Sequence, residues 1–525
     1  MRASSIARAL RSAKAKRITQ YDCKVYIFPA PVRGWNARDS KSAGMKPQDA
    51  IILDNYYPTV TDSITRKGSL THVYGLDGSV DTLMTYSTGT VNQLWAVTSA
   101  GSIYNVTSAG AVGAATVSGF TNGRWQYINF TTSAGNYITA VNGSDTPRQY
   151  DGTTWSASTM SGSGLTSANL INVSEFKKRL WYIEKESFNV WVLPVDSITG
   201  TMTKFNVAAQ FKEGGFLMAG GSLTRDGGEG MDDLLVLISS KGEVILYQGF
   251  DLMDPTNFVL VGRYRIGAPI GRRCFVKAGA DLAAVTIDGV LGISQVITLD
   301  RAASTKVALS DRIRNAFNEV AVLHKDKFGW QPFSYPRGAF VFVNIPITES
   351  VEQHQYVMNV ITGAWCRFTG WNACCWALFN ERIYFGDGLG RIILADEGTS
   401  DNGVAIVGTI HSSFQYPGRP ERISHFKQVK PILVTEPLLS FEVAVITNFA
   451  ESFDLVALEF DRDTGNSLWD LLTWDIDPWS TSAVSDQWYT YPKEVSSVAY
   501  VFRTSTVNNS AKLNAFALLY TPGGI

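Results

Sequence analysis

The chain has 525 residues, of which 45% are hydrophobic and 12% aromatic, and its 46 basic residues balance 47 acidic ones. This composition can fill a buried core and excludes an intrinsically disordered chain. It also lacks the basic excess usual in proteins that grip nucleic acid through its phosphates. The length suggests about three domains, or one large β domain with additions.

Residues 1–20 form a basic segment without a single acidic side chain. The composition favours an arm that docks on a partner or on nucleic acid. A plain solvated tail and a targeting sequence remain alternatives, and a secretory signal is excluded because there is no apolar stretch. No run in the chain approaches the ~18 apolar residues of a membrane helix, so we expect no membrane insertion.

Residues 21–68 are predicted to be an irregular N-terminal docking segment. Prolines and glycines recur throughout, from Pro29 to Pro58, and break any long element.

Residues 69–410 change to short apolar runs, each closed by a Gly, Asn or Asp turn and followed by another run. Gly-rich punctuation between aromatic and β-branched runs is typical of all-β chains. The recurrence predicts a divergent β-propeller with about six or seven blades of roughly 40–50 residues. The corresponding turns are placed at Gly101, Gly143, Gly242, Gly289, Gly363 and Gly388.

One segment departs from this pattern, because residues 310–325 have apolar side chains at helical spacing. They predict a helical insertion between blades. Residues 411–525 are predicted to form a separate C-terminal β-sandwich-like domain. It holds a dense aromatic cluster, interpreted as a core or subunit interface, with a sugar or single-strand stacking surface as the alternative. The cluster comprises Trp469, Trp474, Trp479 and Trp488.

Motifs for catalysis or cofactor binding are missing from the sequence. It has neither a GxSxG elbow nor a Walker loop, and its five histidines form no HxH, HExxH or HxxxH pair. We therefore predict no catalytic residues, no metal and no cofactor. The five cysteines are odd in number and irregularly spaced, which favours buried free thiols in a reducing compartment. They are Cys23, Cys274, Cys366, Cys374 and Cys375.

An acidic loop over residues 226–233 resembles a calcium loop in composition. It lacks the alternating carboxylate register that calcium coordination needs, so we interpret it as a flexible acidic loop. Its carboxylates are Asp226, Glu229, Asp232 and Asp233.

Four blocks of the sequence carry recognisable motifs, and they span 29–69, 244–274, 356–392 and the C-terminal region. The first block has a proline-led entry, Trp35-Asn36, Asp49-Ala50, Leu53-Asp54-Asn55, Pro58 and a basic-Gly end at Arg66–Gly68. The others are a strand with a Gly-Asp-Pro loop, a blade that pairs Trp365 with Phe385, and a Trp-rich run with the closing LLYTPGGI. Taken in order, the four blocks resemble the tail hub and nozzle family of short-tailed bacteriophages, which includes packaged-DNA stabilisation proteins and tubular nozzle proteins.

The resemblance implies a non-enzymatic virion subunit, assembled in the host cytoplasm into a hexameric ring. The ring would sit below portal and adaptor proteins, retain packaged DNA, let duplex DNA pass during ejection and offer surfaces to tail fibres or spikes. A wall that faces DNA should be neutral or acidic, so that the DNA phosphates do not bind to it. The acidic loop with Asp226, Glu229, Asp232 and Asp233 is therefore our candidate for a lumen-facing element.

Two alternatives come from other functional classes. A propeller glycoside hydrolase, such as a depolymerase of host surface sugars, would need two carboxylates about 5–9.5 Å apart at the propeller mouth. A receptor- or carbohydrate-binding propeller would use a tryptophan surface. The sequence marks no acid pair, and this favours the nozzle interpretation.

Overall fold

The structure is a computed structural model, and it describes residues 23–226, 231–250, 257–278, 281–298, 308–417, 423–435, 439–450, 454–460, 483–484 and 488–522. Strands dominate this part of the chain. The predicted all-β propeller class is confirmed. Residues 1–20, predicted as the basic arm, lie outside the described residues.

Seven groups of antiparallel strands follow one another between residues 80 and 395 in the described part of the chain, the last completed by a strand within residues 69–74, and we number them blades 1–7. Blade 1 comprises Val80–Ser87, Asn92–Thr98 and Ile103–Asn105. Blade 2 comprises Gln126–Thr132, Gly135–Val141, Arg148–Tyr150 and Trp155–Ala157. Blade 3 comprises Leu170–Phe176, Arg179–Glu184, Asn189–Val192 and Thr203–Asn206. Blade 4 comprises Leu217–Asp226, Met231–Ser239, Glu243–Gly249 and Phe258–Arg265.

Blades 5–7 complete the series. Blade 5 comprises Phe275–Ala278, Asp281–Thr286 and Gly289–Gly292. Blade 6 comprises Gln331–Tyr335, Phe340–Thr348, Glu352–Asn359 and Trp365–Phe368. Blade 7 comprises Ala373–Phe379, Arg382–Asp387, Arg391–Ala395 and Ser69–Tyr74. Two short parallel pairs flank the blades: Gly110–Ala111 with Ser69–Tyr74, and Met160–Ser161 with Gly200–Thr201.

The blades form a closed ring. The first strand of each of blades 1 to 6 contacts the next blade, and the first strand of blade 7 contacts that of blade 1. The outer strand of blade 7, Ser69–Tyr74, precedes blade 1 in the chain and pairs antiparallel with Arg391–Ala395. The ring is thus held shut by hydrogen bonds between the two ends of the propeller segment. The described residues form a seven-bladed propeller.

Burial follows position in the blade. In the second strand of blade 4, the run Leu234–Ile238 is buried along its whole length, because neighbouring blades cover both faces. The outer strand, Phe258–Arg265, alternates between covered and exposed side chains, because only one face meets protein. Continuous apolar runs and alternating runs therefore mark inner and outer strands.

Two sheets beside the propeller form a β-sandwich. One contains Tyr56–Pro58, Ser63–Thr65, Ala511–Pro522, Ser424–Thr435 and Ala483–Val484, with Lys24–Pro29 and Tyr489–Val495 paired alongside. The other contains Gly34–Trp35, Asp49–Asp54, Ile406–Ser412, Val498–Thr506, Leu439–Thr447 and Val456–Phe460. Their facing sides share one apolar core, in which the ring of Tyr500 stacks on Phe516 with centroids 4.4 Å apart.

The prediction that residues 21–68 are irregular is wrong. This segment supplies five of the strands above, and Lys24–Pro29 runs antiparallel to the chain's closing strand, with Lys24 opposite Tyr520. Its prolines fall at strand ends and turns, so they do not prevent pairing. The sandwich is therefore built from both ends of the chain, and its strand Ile406–Ser412 begins before residue 411.

The sandwich and the propeller share a sheet. The last strand of blade 6, Trp365–Phe368, pairs in parallel with Gly34–Trp35 and with Asp49–Asp54. Ten strands thus run without a break from blade 6 to the edge of the sandwich. Gly34 has a positive φ of 78°, and a β-carbon there would lie 2.4 Å from the carbonyl oxygen of Trp365. Only glycine allows this close approach.

Helices are short and few in the described residues. The predicted insertion between blades is confirmed as Arg314–His324, preceded by a 3₁₀ turn, Asp311–Ile313. A second helix, Ile293–Thr298, follows blade 5, and 3₁₀ turns occur at Ser167–Asn169 and Ala208–Gln210. None of these helices is long and apolar enough to cross a bilayer.

Candidate functional site: the propeller axis and its junction with the sandwich

The first strands of the seven blades enclose a narrow axial cavity of about 390 Å³. Its wall combines aromatic rings, small polar side chains and two arginines, and it includes no carboxylate. The lining includes Thr82, Trp125, Arg272, Arg273 and Phe333.

Arg273 fills part of this axis. One of its Nη atoms donates to the Thr82 hydroxyl at 2.6 Å and to the Trp125 carbonyl at 3.0 Å. Burial lowers the pKa of Arg273, and the nearby positive charge of Arg124 acts in the same direction. The guanidinium thus ties blade 5 to blade 1 across the ring, at an electrostatic cost.

A larger cavity of about 640 Å³ opens at the mouth where the first strands begin. Loops from blades 1 to 5 and the segment after helix Arg314–His324 form its wall. Six of the lining side chains are basic and two are acidic. The basic ones are Arg124, Arg272, Arg273, Lys185, Lys325 and Lys327, and the acidic ones are Glu186 and Asp326.

The opposite mouth, where the first strands end, has a cavity of about 540 Å³ and a balanced charge. Asp233, one of the predicted acidic residues, lies there. Its carboxylate accepts from Lys177 Nζ at 2.8 Å and from the Thr224 hydroxyl at 3.0 Å. The hydrogen bond from Lys177 is the main cause that lowers the pKa of Asp233.

The rest of the predicted acidic loop is only partly described. Asp226 and Asp232 lie on the blade 4 hairpin, where Asp226 is opposite Met231 and Asp232 is opposite Arg225. Glu229 lies outside the described residues. The structure therefore puts Asp233 at an axial mouth of one propeller, and whether the hairpin faces a DNA conduit stays a prediction.

The predicted aromatic cluster is also mostly outside the described residues, which include Trp488 but not Trp469, Trp474 or Trp479. Trp488 is half-buried, and Lys430 Nζ lies 5.7 Å from its ring centroid. Among the cysteines, Cys23 is exposed and the other four are buried, all with free thiols. Within the described part of the chain, no three His, Cys, Asp or Glu residues gather as a metal site would require.

A buried polar network occupies the junction between sandwich and propeller, and Arg66 is at its centre. Its Nε donates to Asn55 Oδ1 at 2.9 Å, and its two Nη atoms donate to the Lys67 carbonyl at 2.9 Å and the Thr369 carbonyl at 2.7 Å. Both Nη atoms also bind the Asp401 carboxylate, one of them at 3.1 Å. All five guanidinium N–H groups thus have acceptors.

Neighbouring side chains extend this network. Trp371 covers the guanidinium of Arg66 at 4.6 Å and donates its indole N–H to Asp401 at 3.2 Å. A second ion pair joins Arg367 of blade 6 to Asp54 of the sandwich, with Nε 2.7 Å from the carboxylate. Ion pairs between the sandwich and the propeller therefore hold the two units together at the junction.

Sequence reasoning did not identify the arginine cluster of the axis. Arg124 precedes blade 2, and Arg272 and Arg273 precede blade 5, so only ring closure brings them together. The adjacent pair Arg272-Arg273 is the one local signal, and two neighbouring cations are common on any surface. The junction residues, in contrast, coincide with the first sequence block, through Asp54, Asn55 and Arg66.

Comparison with protein-family models gives no match, and comparison with curated proteins gives none either. Among solved structures, the chain is similar to BBS1N in complex with ARL6DN, at 14% identity and a TM-score of 0.30, over 44% of this chain and 73% of that one. It is also similar to an exo-β-1,3-galactanase from Phanerochaete chrysosporium with galactose, at 8% identity and a TM-score of 0.24, over 86% of this chain and 100% of that one. These values carry no argument about function.

Proposed function

We propose that the chain is a structural, non-enzymatic subunit of the tail nozzle or hub of a short-tailed bacteriophage. Six copies would form a ring below portal and adaptor, retain packaged DNA and let it pass at ejection, with tail fibres or spikes docked outside. One observation carries the proposal. The first and third sequence blocks of the family resemblance meet at the junction, where Gly34 pairs with Trp365 and Asp54 binds Arg367.

The shared ten-stranded sheet supports the proposal because it makes the subunit rigid. A ring that holds pressurised DNA needs subunits whose parts do not move against each other, whereas parts joined only by a flexible linker move by default. Here the connection consists of backbone hydrogen bonds and the buried Arg66–Asp401 pair, whose side chains are 2% and 17% exposed.

The size of the axis supports a multi-copy conduit. The inner cavity has a volume of only about 390 Å³, and Arg273 fills part of it. Duplex DNA needs a far larger opening, since its major groove alone is about 12 Å wide. DNA cannot thread one propeller. A passage for it must lie between copies, in a head-to-tail ring that closes on rotation.

An exposed apolar edge offers an interface for such a ring. Among the described residues, the strand Lys24–Pro29 pairs only with the closing strand of the sandwich, and its Val25 and Ile27 are 51% and 58% exposed. An uncovered edge strand with β-branched side chains is a ready template for another chain. Residues 1–20 immediately precede it. We assign this edge to the contact between neighbouring copies.

Mass photometry and negative-stain electron microscopy of the full chain, with and without its adaptor, test the proposal. We expect six-fold rings, either alone or when adaptor is added. The double variant V25D/I27D should shift the population to monomers. The matched control V259D/V261D changes two exposed valines, 49% and 46% exposed, on the outer strand of blade 4, and should leave the rings intact.

A wild-type chain that stays monomeric with portal and adaptor present would overturn the nozzle proposal. Binding or hydrolysis of host surface polysaccharide by that monomer would then favour the receptor-binding or depolymerase alternative. If the wild type and V25D/I27D both form rings, the nozzle proposal stands and only the assignment of this edge to the interface is rejected.

A further inference from the structure

The basic mouth of the propeller axis gathers three arginines, and two of them lie over the ring of one phenylalanine. The guanidinium carbons of Arg124 and Arg273 lie 4.3 Å and 5.2 Å from the ring centroid of Phe328. Arg272 lines the same cavity, and the positive charge of Arg124 helps to lower its pKa. Like charges are therefore held close together at a partly desolvated place, which costs free energy unless something compensates.

Among the described residues, only Arg124 of the three has carboxylates within ion-pair distance, and the charge of Glu186 acts on Arg272 from further away. Arg124 binds Glu349 at 2.6 Å and lies 3.8 Å from Asp81. Among the described residues, Arg272 makes a single hydrogen bond, at 3.3 Å to the Asn142 carbonyl, and neither it nor Arg273 has a carboxylate within ion-pair distance. Most N–H groups of Arg272 are thus left for the cavity.

The cavity has room for a ligand. Its volume of about 640 Å³ falls within the roughly 300–1,000 Å³ typical of small-molecule sites. Lys185, Lys325 and Lys327 add positive charge at its rim. Guanidinium groups bind phosphate and carboxylate oxygens in a planar, two-pronged geometry, whereas lysines act as mobile point charges. Unpaired arginines inside and lysines outside match an oxyanion with more than one charge.

We propose that this mouth binds a small molecule that carries phosphate groups, with Arg272 and Arg273 as the inner contacts and Lys185 at the rim. The occupant is a free small molecule, since a duplex is too wide to enter. The site lies on the axis of a single propeller, so the proposal does not depend on the ring or on the nozzle role.

Isothermal titration calorimetry of the full chain with pyrophosphate, at constant ionic strength, tests it. We expect one site per chain. Arg272→Gln should weaken binding by roughly tenfold or more, the loss expected for a hydrogen bond to a charged group. Lys185→Gln should weaken it by about threefold through charge alone. Lys185 is exposed, so its loss does not threaten folding.

Lys177→Gln is the matched control, because it removes one positive charge from the opposite mouth and should leave the affinity unchanged. A short DNA duplex should not compete with pyrophosphate. Absence of pyrophosphate binding, equal affinities for wild type, Arg272→Gln and Lys185→Gln, or full competition by the duplex would each overturn the proposal.

Discussion

Arg66 at the junction is buried and Arg272 at the propeller mouth is half-buried, but among the described residues only Arg66 of the two meets a carboxylate within ion-pair distance. Asp401 and three neutral acceptors satisfy every N–H group of Arg66. Arg272 has one long hydrogen bond to a carbonyl. A buried cation whose N–H groups are all hydrogen-bonded has a structural role, because the folded chain itself supplies its partners. A half-buried cation left open toward a cavity is typical of a binding site.

The largest effect should come from breaking the junction pair. Asp401→Ala leaves Arg66 buried without its counter-charge, so we expect the free energy of unfolding to fall by about 3–5 kcal/mol. Urea denaturation followed by tryptophan fluorescence measures it. Glu397→Gln is the control, because its side chain is 45% exposed and 3.8 Å from Arg382; its effect should stay below about 1 kcal/mol. Equal effects of the two variants would contradict the structural role of Arg66.

The junction sheet should also respond to pH through His411, which lies between Asp49–Asp54 and Val498–Thr506. Burial, and to a smaller extent the charge of Lys41, lowers the pKa of His411 to about 4. In the unfolded chain the pKa is about 6.5. Between these values only the unfolded chain takes up the proton, so stability is complete above pH ~6.5 and declines as the pH falls towards ~4.

The expected decline is about 3 kcal/mol, from 1.36 kcal/mol per pKa unit over the difference between the two pKa values. Urea midpoints of wild type and His411→Leu, measured across this pH window, separate it from the titration of carboxylates, which both proteins share. The variant should show a flatter profile. Parallel profiles would assign the acid sensitivity to groups other than His411.

At the propeller mouth we expect the opposite sign. Arg272→Met removes a desolvated charge and its repulsion from Arg124, and gives up only the long bond to the Asn142 carbonyl. The free energy of unfolding should rise by up to about 1 kcal/mol, since a well-packed apolar replacement of a buried charge is often neutral or stabilising. Thermal denaturation without phosphate measures it. A loss comparable to that of Asp401→Ala would erase the contrast between the two arginines.

The propeller could be predicted from the sequence because its turns are local. Four of the six predicted glycines, Gly101, Gly143, Gly242 and Gly388, lie between the second and third strands of their blades, and Gly289 begins the third strand of blade 5. The sixth, Gly363, lies between the third and fourth strands of blade 6. A strand-turn-strand unit can be recognised from only about a dozen neighbouring residues.

The sandwich and the axis depend on contacts that no local window contains. The pairing of Lys24 with Tyr520 joins opposite ends of the chain, so prolines in the first segment suggested irregular structure where strands exist. Arg124 and Arg273 precede different blades and meet over Phe328 only in the assembled propeller. Asn55 and Arg66 were visible as sequence features, but their acceptors, Thr369 and Asp401, come more than 300 positions later.

The smallest effect should come from the opposite mouth, where Lys177 and Asp233 form an ion pair with both side chains more than one-third exposed. Water screens such a pair, and fixing two flexible side chains offsets most of the attraction. Lys177→Gln should therefore change the free energy of unfolding by less than about 0.5 kcal/mol. Urea denaturation beside Asp401→Ala measures both on one scale. A loss above about 2 kcal/mol would mean that an ion pair stabilises this mouth, as one stabilises the junction. Arg272 would then be the exception among the charged groups at the axis.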